Sequence, residues 1–593
     1  MTSWELSPLY RHHQSLVLPD STRIASFHNG RVVLRALDSL HIFRTWSLFA
    51  PTPAPASSTR PSASAAAPAQ PLTELTSFVV SPAAPHYILC FAAKLRTAWM
   101  LDPNSDEVAA KLEVGNEGAV RMEWAQVGRE DGEGDAVAMA WSAHHLRLSL
   151  YYLSSPTSPA LHIQNPKHSH ASGHAFHPQR KFLAILERHN SRDVIGIYST
   201  KGEWALVRSI TLPDPSSDLA GLNWSPCGKY IATWSHITEY TVHFYLPAGQ
   251  LVSTFSPYSS LSPPSAAPSS GTARRRPAPA EPKETETGKE LSAENRKREE
   301  RSTASYVGLG VRTVEWHPSG GWVAVGGFDG KIRILTHHGF VPVAELALPL
   351  RLVQPVRLWK EPQGWIEKTR GKGIVSFDRI LTFPYSLTPV IANPAVPSPK
   401  MGFSRLSWSP SGNWLVALNQ SFPAALAIFS FPPSLSSASS PTPDSPSSPS
   451  FARPALHTVL FLAQPVRDFA FQPAPDAEEE SEMLVVASGE SAFTVWRAPA
   501  NQGGAGEAEG VGVPAGQTPF PLSTLSFAPS GTALVLSAPP TSATGASVPT
   551  ASAKEAGGVF CVAYPVAAEG ESVLLGVGEG EGRTWMEEGS EEE

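Results

Sequence analysis

The stretch "WHPSGGWVAVGGFDGKIRIL", Trp316 to Leu335, reads as an aromatic strand end, a proline turn, a strand, an Asp-Gly turn and a second strand. Trp322, Ala324 and Gly326, then Ile332 and Ile334, recur at the period of two that gives a strand distinct faces. Pro318 fixes φ in the first turn, and Asp329-Gly330 predicts a two-residue hairpin with positive φ at both central positions. The unit recurs as "LNWSPCGKYIATWSHITEYTVHFY" from Leu222, "LSWSPSGNWLVALNQSFPAALAIF" from Leu406 and "HAFHPQRKFLAILERHNSRDVIGIY" from His174. Weaker copies start at Phe469 and Leu525, and divergent ones occupy 12–46, 75–102 and 119–154.

Spacing turns these copies into an architecture. Phe176 to Trp224 is 48 residues and Trp224 to Trp316 is 92. Removing a Pro/Ser/charge-rich segment of about 50 residues from the second interval leaves about 42, the period of a four-stranded propeller blade. The expectation is an all-β chain: one closed β-propeller ring of seven to nine four-stranded blades with disordered loop insertions. "SWELSPLY" near the N-terminus is placed as a strand that completes the last blade, since closure removes the exposed edges an open sheet would leave.

The blocks "DLAGLNWSPCGKYIATW", "GQLVSTFSPY", "VRTVEWHPSGGWVAVGGFDGKIRIL" and "MGFSRLSWSPSGNWLVA" resemble, in order, the centrosome and spindle-pole WD-repeat family. Two departures from the general WD-repeat pattern stand out. No Trp-Asp dipeptide is present, Trp496 being followed by Arg497, and Gly173-His174 lies unusually close to its strand. The resemblance implies a non-enzymatic WD-repeat β-propeller scaffold at the spindle pole body or another microtubule-organising centre, within the cytoplasm and cytoskeleton. Its implied partners are a coiled-coil microtubule-anchoring protein, a minus-end-directed kinesin and gamma-tubulin-containing assemblies. An adaptor in an RNA- or chromatin-associated complex is the alternative.

Composition divides the chain further. Blades are assigned to 72–256, 307–430, 455–499 and 520–568, with 1–49 supplying the closing strand and first blade. The segments 50–71, 257–306, 431–454 and 500–519 are rich in Pro, Ser, Ala or Gly and are expected to be disordered inserts. From Glu569 to Glu593 nine acidic residues face one base, a net of -8, so with -7 for the whole chain the remainder carries about +1. That body offers no global basic field for direct nucleic-acid binding. Three widely spaced cysteines, Cys90, Cys227 and Cys561, give neither a disulfide framework nor a metal pair. With no basic-then-apolar leader and no long apolar run, neither secretion nor a membrane is expected.

Catalytic, cofactor-binding and metal residues are not assigned. The most suggestive constellation is "HSHASGHAFHP", with His168, His170, His174 and His177, but His174 and His177 flank a strand end and point to opposite faces. The pairs His12-His13, His144-His145 and His337-His338 fail as joint acid–base groups for the same reason. Ser155, Ser158, Ser256, Ser262, Ser440, Thr442, Ser445 and Ser448 each precede proline, the minimal pattern for proline-directed phosphorylation.

Overall fold

In the computed structural model, residues 3–12, 14–48, 75–115, 117–127, 135–214, 217–258, 309–393, 396, 398–432, 453–473, 481–499, 504–514, 520–538 and 558–566 are described. The expected insert 50–71, nearly all of 257–306 and 431–454, and the acidic tail lie outside them.

Nine antiparallel sheets follow one another, spanning 14–47, 77–113, 119–164, 174–211, 219–255, 311–347, 403–461, 468–512 and 524–566, here blades 1 to 9. Middle strands such as Ile88–Ala92 and Met483–Ala487 are buried on both faces, which their unbroken apolar sequences permit. Outer strands such as Ile42–Ser47, Val108–Glu113 and Pro342–Ala347 bury a single residue each.

Each hydrophobic cluster joins one blade to the next. Ala25 and Phe27 of blade 1 pack with Ile88 and Trp99 of blade 2; Trp414 and Ile428 of blade 7 pack with Phe469 and Trp496 of blade 8. The cluster of Ile24 and Leu37 with Val535, Phe560 and Val562 joins blade 1 to blade 9. Nine such interfaces in cyclic order make one closed ring of nine blades.

The last blade is built from both ends of the sequence. Ser3–Leu6 pairs antiparallel with Gly558–Val566, Ser3 opposite Val566 and Leu6 opposite Ala563. Trp4 stands edge-on to Phe493 of blade 8 at 5.1 Å, and Ser7 exchanges hydrogen bonds with both backbone groups of Val562 at 2.9 Å.

The recurrent proline turn ties blades together. Gly228, Gly320, Gly412 and Gly531 close these turns at φ near +70 to +80°, each amide donating to a carbonyl three residues back. The residue after the aromatic strand end then reaches the next blade's glycine. His317 Nε2 donates to Gly412 O at 3.1 Å, and Gln472 Nε2 donates to Gly531 O at 2.9 Å. A β-carbon on Gly228 or Gly412 would collide with the ring of His177 or His317.

Three expectations are corrected. Gly330 has φ +75° but Asp329 does not enter the positive region, and three residues, 328–330, separate the strands. Asp329 Oδ1 accepts from the Lys331 amide at 3.1 Å, so the aspartate acts through its side chain rather than by adopting a left-handed backbone. Within the supposed insert 500–519, Glu507–Gly512 is the fourth strand of blade 8, six of its residues pairing with Ala492–Arg497. And 307–430 is not continuous blade: the described residues between blades 6 and 7, from 348 to 402, form a strap on the rim, which enlarges the sheet of blade 7 to six strands and that of blade 8 to five. Arg357–Lys360 of the strap runs parallel to the outer strand Ala455–Phe461 of blade 7. Ile374–Ser376 then pairs with blade 8, and Asp378–Ile380 returns to pair with Arg357–Lys360. Phe377, between them, is buried in the cluster shared by blades 7 and 8. No helix among the described residues is long and apolar enough to cross a membrane.

Candidate interaction surfaces

Links between blades and the loops joining second to third strands share one face of the ring, called here the upper face. Because these loops come from distant parts of the chain, the surfaces they build carry no local sequence motif.

The four clustered histidines do not converge. His174 Nε2 lies 3.0 Å from Glu123 Oε1 of blade 3, whose carboxylate also accepts from Trp141 Nε1 at 2.8 Å. His177 instead stands edge-on to Trp224 of blade 5 at 4.9 Å. His168 and His170 stack on each other at 4.6 Å in the link before blade 4. The opposite facing of His174 and His177 thus assigns each to a different blade interface, and no group of three metal-ligating side chains occurs among the described residues.

Beside His168, the upper face opens into a cavity of about 390 Å³ where blades 3, 4 and 5 meet, lined by His145, Asn165, Lys167, Arg188, Asp218 and His236. Its floor is an ion-pair network. Lys167 Nζ donates to Asp193, Asp218 and the Leu219 carbonyl, and Arg188 donates to Asp193 at 2.7 Å and to Asp218. The Asp193 side chain is fully buried, and its second oxygen also accepts from the Leu219 amide at 2.8 Å. Burial opposes ionisation of Asp193, yet the bonds from Arg188, Lys167 and Leu219 outweigh it and hold the carboxyl below its ordinary range. Burial pushes His168 down to about 4, so it is neutral near pH 7. Every charge in this floor is internally satisfied, which makes it a rigid junction of three blades.

A second cavity of similar volume, about 390 Å³, lies between the strap and the upper loops of blades 7, 8 and 9. Glu361 organises it, accepting from Trp365 Nε1 and from the Ala463 amide, each at 2.8 Å. Burial, then the negative charges of Glu361 and Glu367, raise Glu490 on its far wall. Trp365 lies against blade 8 because Gly510 presents no side chain: a β-carbon there would stand 2.8 Å from the indole.

Nucleophile–base pairs occur without the rest of a catalytic site. Ser149 Oγ lies 2.9 Å from His162 Nδ1, but Ser149 lines a void of only about 20 Å³. Ser172 and His170 meet at 2.6 Å on exposed links. Among the described residues no carboxylate hydrogen-bonds either imidazole.

Of the proline-directed sites, Ser155 and Ser158 are exposed in the hairpin between the third and fourth strands of blade 3, 147–164, while Ser262, Ser440, Thr442, Ser445 and Ser448 lie outside the described residues.

Sequence comparison with known proteins agrees with this architecture. The model of the WD domain, G-beta repeat, matches residues 302–335, the unit of blade 6. WD repeat-containing protein WRAP73 of Mus musculus is 24% identical over 469 residues, covering 76% of this chain and 80% of that protein. An uncharacterized WD repeat-containing protein, C32H8.09 of Schizosaccharomyces pombe, is 27% identical over 120 residues, 20% of this chain and 24% of that one. Among solved structures, Chaetomium thermophilum Sqt1 bound to the N-terminus of ribosomal protein L10 aligns at TM-score 0.41 and 15% identity, covering 83% of this chain and 96% of the other. With nine blades in one ring and sequence similarity to WRAP73 across three quarters of its length, the chain is a WD-repeat β-propeller protein similar to WRAP73.

Proposed function

We propose that the chain is a non-enzymatic scaffold at the spindle pole body or centrosome, where it helps anchor microtubule minus ends through protein–protein binding. The observation that carries this reading is the similarity to WRAP73 across 76% of the chain, which extends the family resemblance of the repeat blocks well beyond any one repeat. The ring's physics is compatible: its blades meet through apolar packing, and among the described residues the Ser149–His162 and Ser172–His170 pairs lack an orienting acid. On this reading a coiled-coil microtubule-anchoring protein is the direct partner, with minus-end-directed kinesin and gamma-tubulin-containing assemblies in the same complex.

The test is imaging of the fluorescently tagged chain against a γ-tubulin marker through mitosis, with affinity purification from the same cells. Persistent foci on the marker and recovery of a coiled-coil anchoring protein support the reading. A diffuse or chromatin-bound signal without that partner refutes it and favours the RNA- or chromatin-associated alternative.

A further inference from the structure

Serine or threonine before proline occurs in the blade turns as well as in the loops, and the structure separates the two settings. In the proline turns Ser225 and Ser409 are 0% exposed, and their hydroxyls accept from the amides of Tyr230 at 3.0 Å and Trp414 at 3.2 Å. Ser81 is 4% exposed, and its hydroxyl accepts from the Ala83 amide at 3.4 Å. These hydroxyls hold turns together, and an enzyme reaches them only when a blade opens locally.

The loop between the third and fourth strands of blade 3 is built differently. It runs over 153–160, eight residues where the same loop of blades 1, 5 and 6 takes five. Backbone hydrogen bonds close its base: Leu153 N donates to Ala136 O at 2.8 Å, Ser155 N to Tyr152 O at 3.1 Å and Ala160 N to Leu150 O at 2.7 Å. Beyond that base Pro156 and Pro159 have no N–H, and the amides of Thr157 and Ser158 meet no backbone acceptor among the described residues. Ser158 is exposed, with Pro156 two residues before it and Pro159 directly after. A following proline biases a residue towards extended backbone, the form in which protein kinases take their substrates. Drawing 156–159 into a kinase cleft therefore breaks no backbone hydrogen bond of the blade. Ser155 is exposed as well, but its amide belongs to the loop base, and the neighbouring Ser154 bonds Asp135 through its amide, at 3.0 Å, and through its hydroxyl. A phosphate on Ser155 would thus stand close to a carboxylate. On the strap, exposed Thr388 is pinned on either side, Leu387 N donating to Leu350 O at 2.7 Å and Val390 N to Ser421 O at 2.8 Å.

We propose that Ser158 is a phosphorylation site for a proline-directed protein kinase. The kinase transfers the γ-phosphoryl group of ATP to Ser158 Oγ: the bond from the γ-phosphorus to the ADP oxygen breaks, the bond to Oγ forms, and the hydroxyl proton is released. Residues 153–160 carry no charge of their own, so the product places about -1.5 to -2 on this loop, on the face of the ring opposite the upper one. The site is a charge switch on the ring surface and is independent of the scaffold reading above.

The test incubates the full chain, and free peptides spanning 152–164, 219–231 and 403–415, with ATP and either a cyclin-dependent or a mitogen-activated protein kinase. Mass spectrometry follows occupancy at each serine. The peptides report sequence preference alone, and the chain adds the fold. Ser158 should be modified in the chain within about threefold of its rate in the peptide, whereas Ser225 and Ser409 should be slowed on the order of a hundredfold or more, since each needs local opening of a blade. Ser155 should lag Ser158 in the chain by more than it does in the peptide. Ser158→Ala should leave the melting temperature unchanged and the loop without phosphate. A chain in which Ser158 stays unmodified while its peptide is modified, or in which Ser155 or Ser225 reacts as fast as Ser158, overturns the assignment. So does a 152–164 peptide that neither kinase modifies. The same mapping on the chain recovered from mitotic cells should find phosphate on Ser158, and its absence there overturns the site as one used in the cell.

Discussion

Replacing Gly412 by alanine measures what the turn glycines contribute to the ring. Gly412 sits at φ +80°, a conformation that costs an L-residue about 1 to 2 kcal/mol, part of which alanine recovers by stiffening the unfolded chain. Its distinguishing burden is the neighbour. His317 is 1% exposed, stands 4.8 Å from Trp408, and donates from Nε2 to the Gly412 carbonyl. A β-carbon would displace that ring and leave a buried imidazole nitrogen unbonded, a further cost of about 1 to 3 kcal/mol. The expected total is about 3 kcal/mol. Gly202, at φ +68° with nothing within 4 Å, is the control and should cost only about 1 kcal/mol on substitution. Urea unfolding followed by tryptophan fluorescence reads both. In a His317→Ala background the Gly412 substitution should fall to about the control value, a coupling of about 2 kcal/mol. Equal costs at the two glycines, or additivity with His317→Ala, would refute the account of blade-to-blade stapling.

Four further outcomes are expected. Burial raises Glu315 to about 7 from 4.5, with Arg405 opposing. The folded carboxyl thus keeps a proton that the unfolded chain has lost between those values, and its stabilising contribution is full below about 4.5 and gone above about 7; Glu315→Gln should gain on the parent across that window, by about 2 to 3 kcal/mol in unfolding titrations. Asp193→Ala leaves Lys167, 6% exposed, short of a buried partner and should cost about 3 kcal/mol in the same assay. Deleting residues 1–11 removes the fourth strand of blade 9 and should lower the melting temperature and promote self-association through the bared edge, seen by light scattering. Incubation with a chelator should leave the melting temperature unchanged, because His174 and His177 face different interfaces and His168 and His170 stack on each other; a drop would revive a metal site there.

The blades were legible because a propeller repeats its physics. Trp224, Trp316 and Trp408 end inner strands, and the proline turn follows each, so spacing alone reveals the period. Legibility ends where one segment's conformation is set by another far away. "EAEGVG" at 507–512 reads as linker, yet its glycines are what a rim strand requires when Trp365 and the Gly371-Lys372 backbone press against it. The strap escaped for the opposite reason: its strands are two to four residues long, too short for a period, and it is stabilised by pairing with blade strands as far along the chain as Val511, which pairs with Ile374. The upper-face cavity beside His168 shows no local signal because Lys167, Arg188 and Asp218 come from three separate segments, two links and a strand end.

The central claim is a single ring of nine blades closed by the N-terminal strand, and face-on electron cryo-microscopy class averages of the purified chain test it most directly. The account predicts nine radial densities around one channel, with added density on the rim at two adjacent blades where the strap lies. Two smaller rings, or an open arc with a gap between the first and last blades, would contradict it.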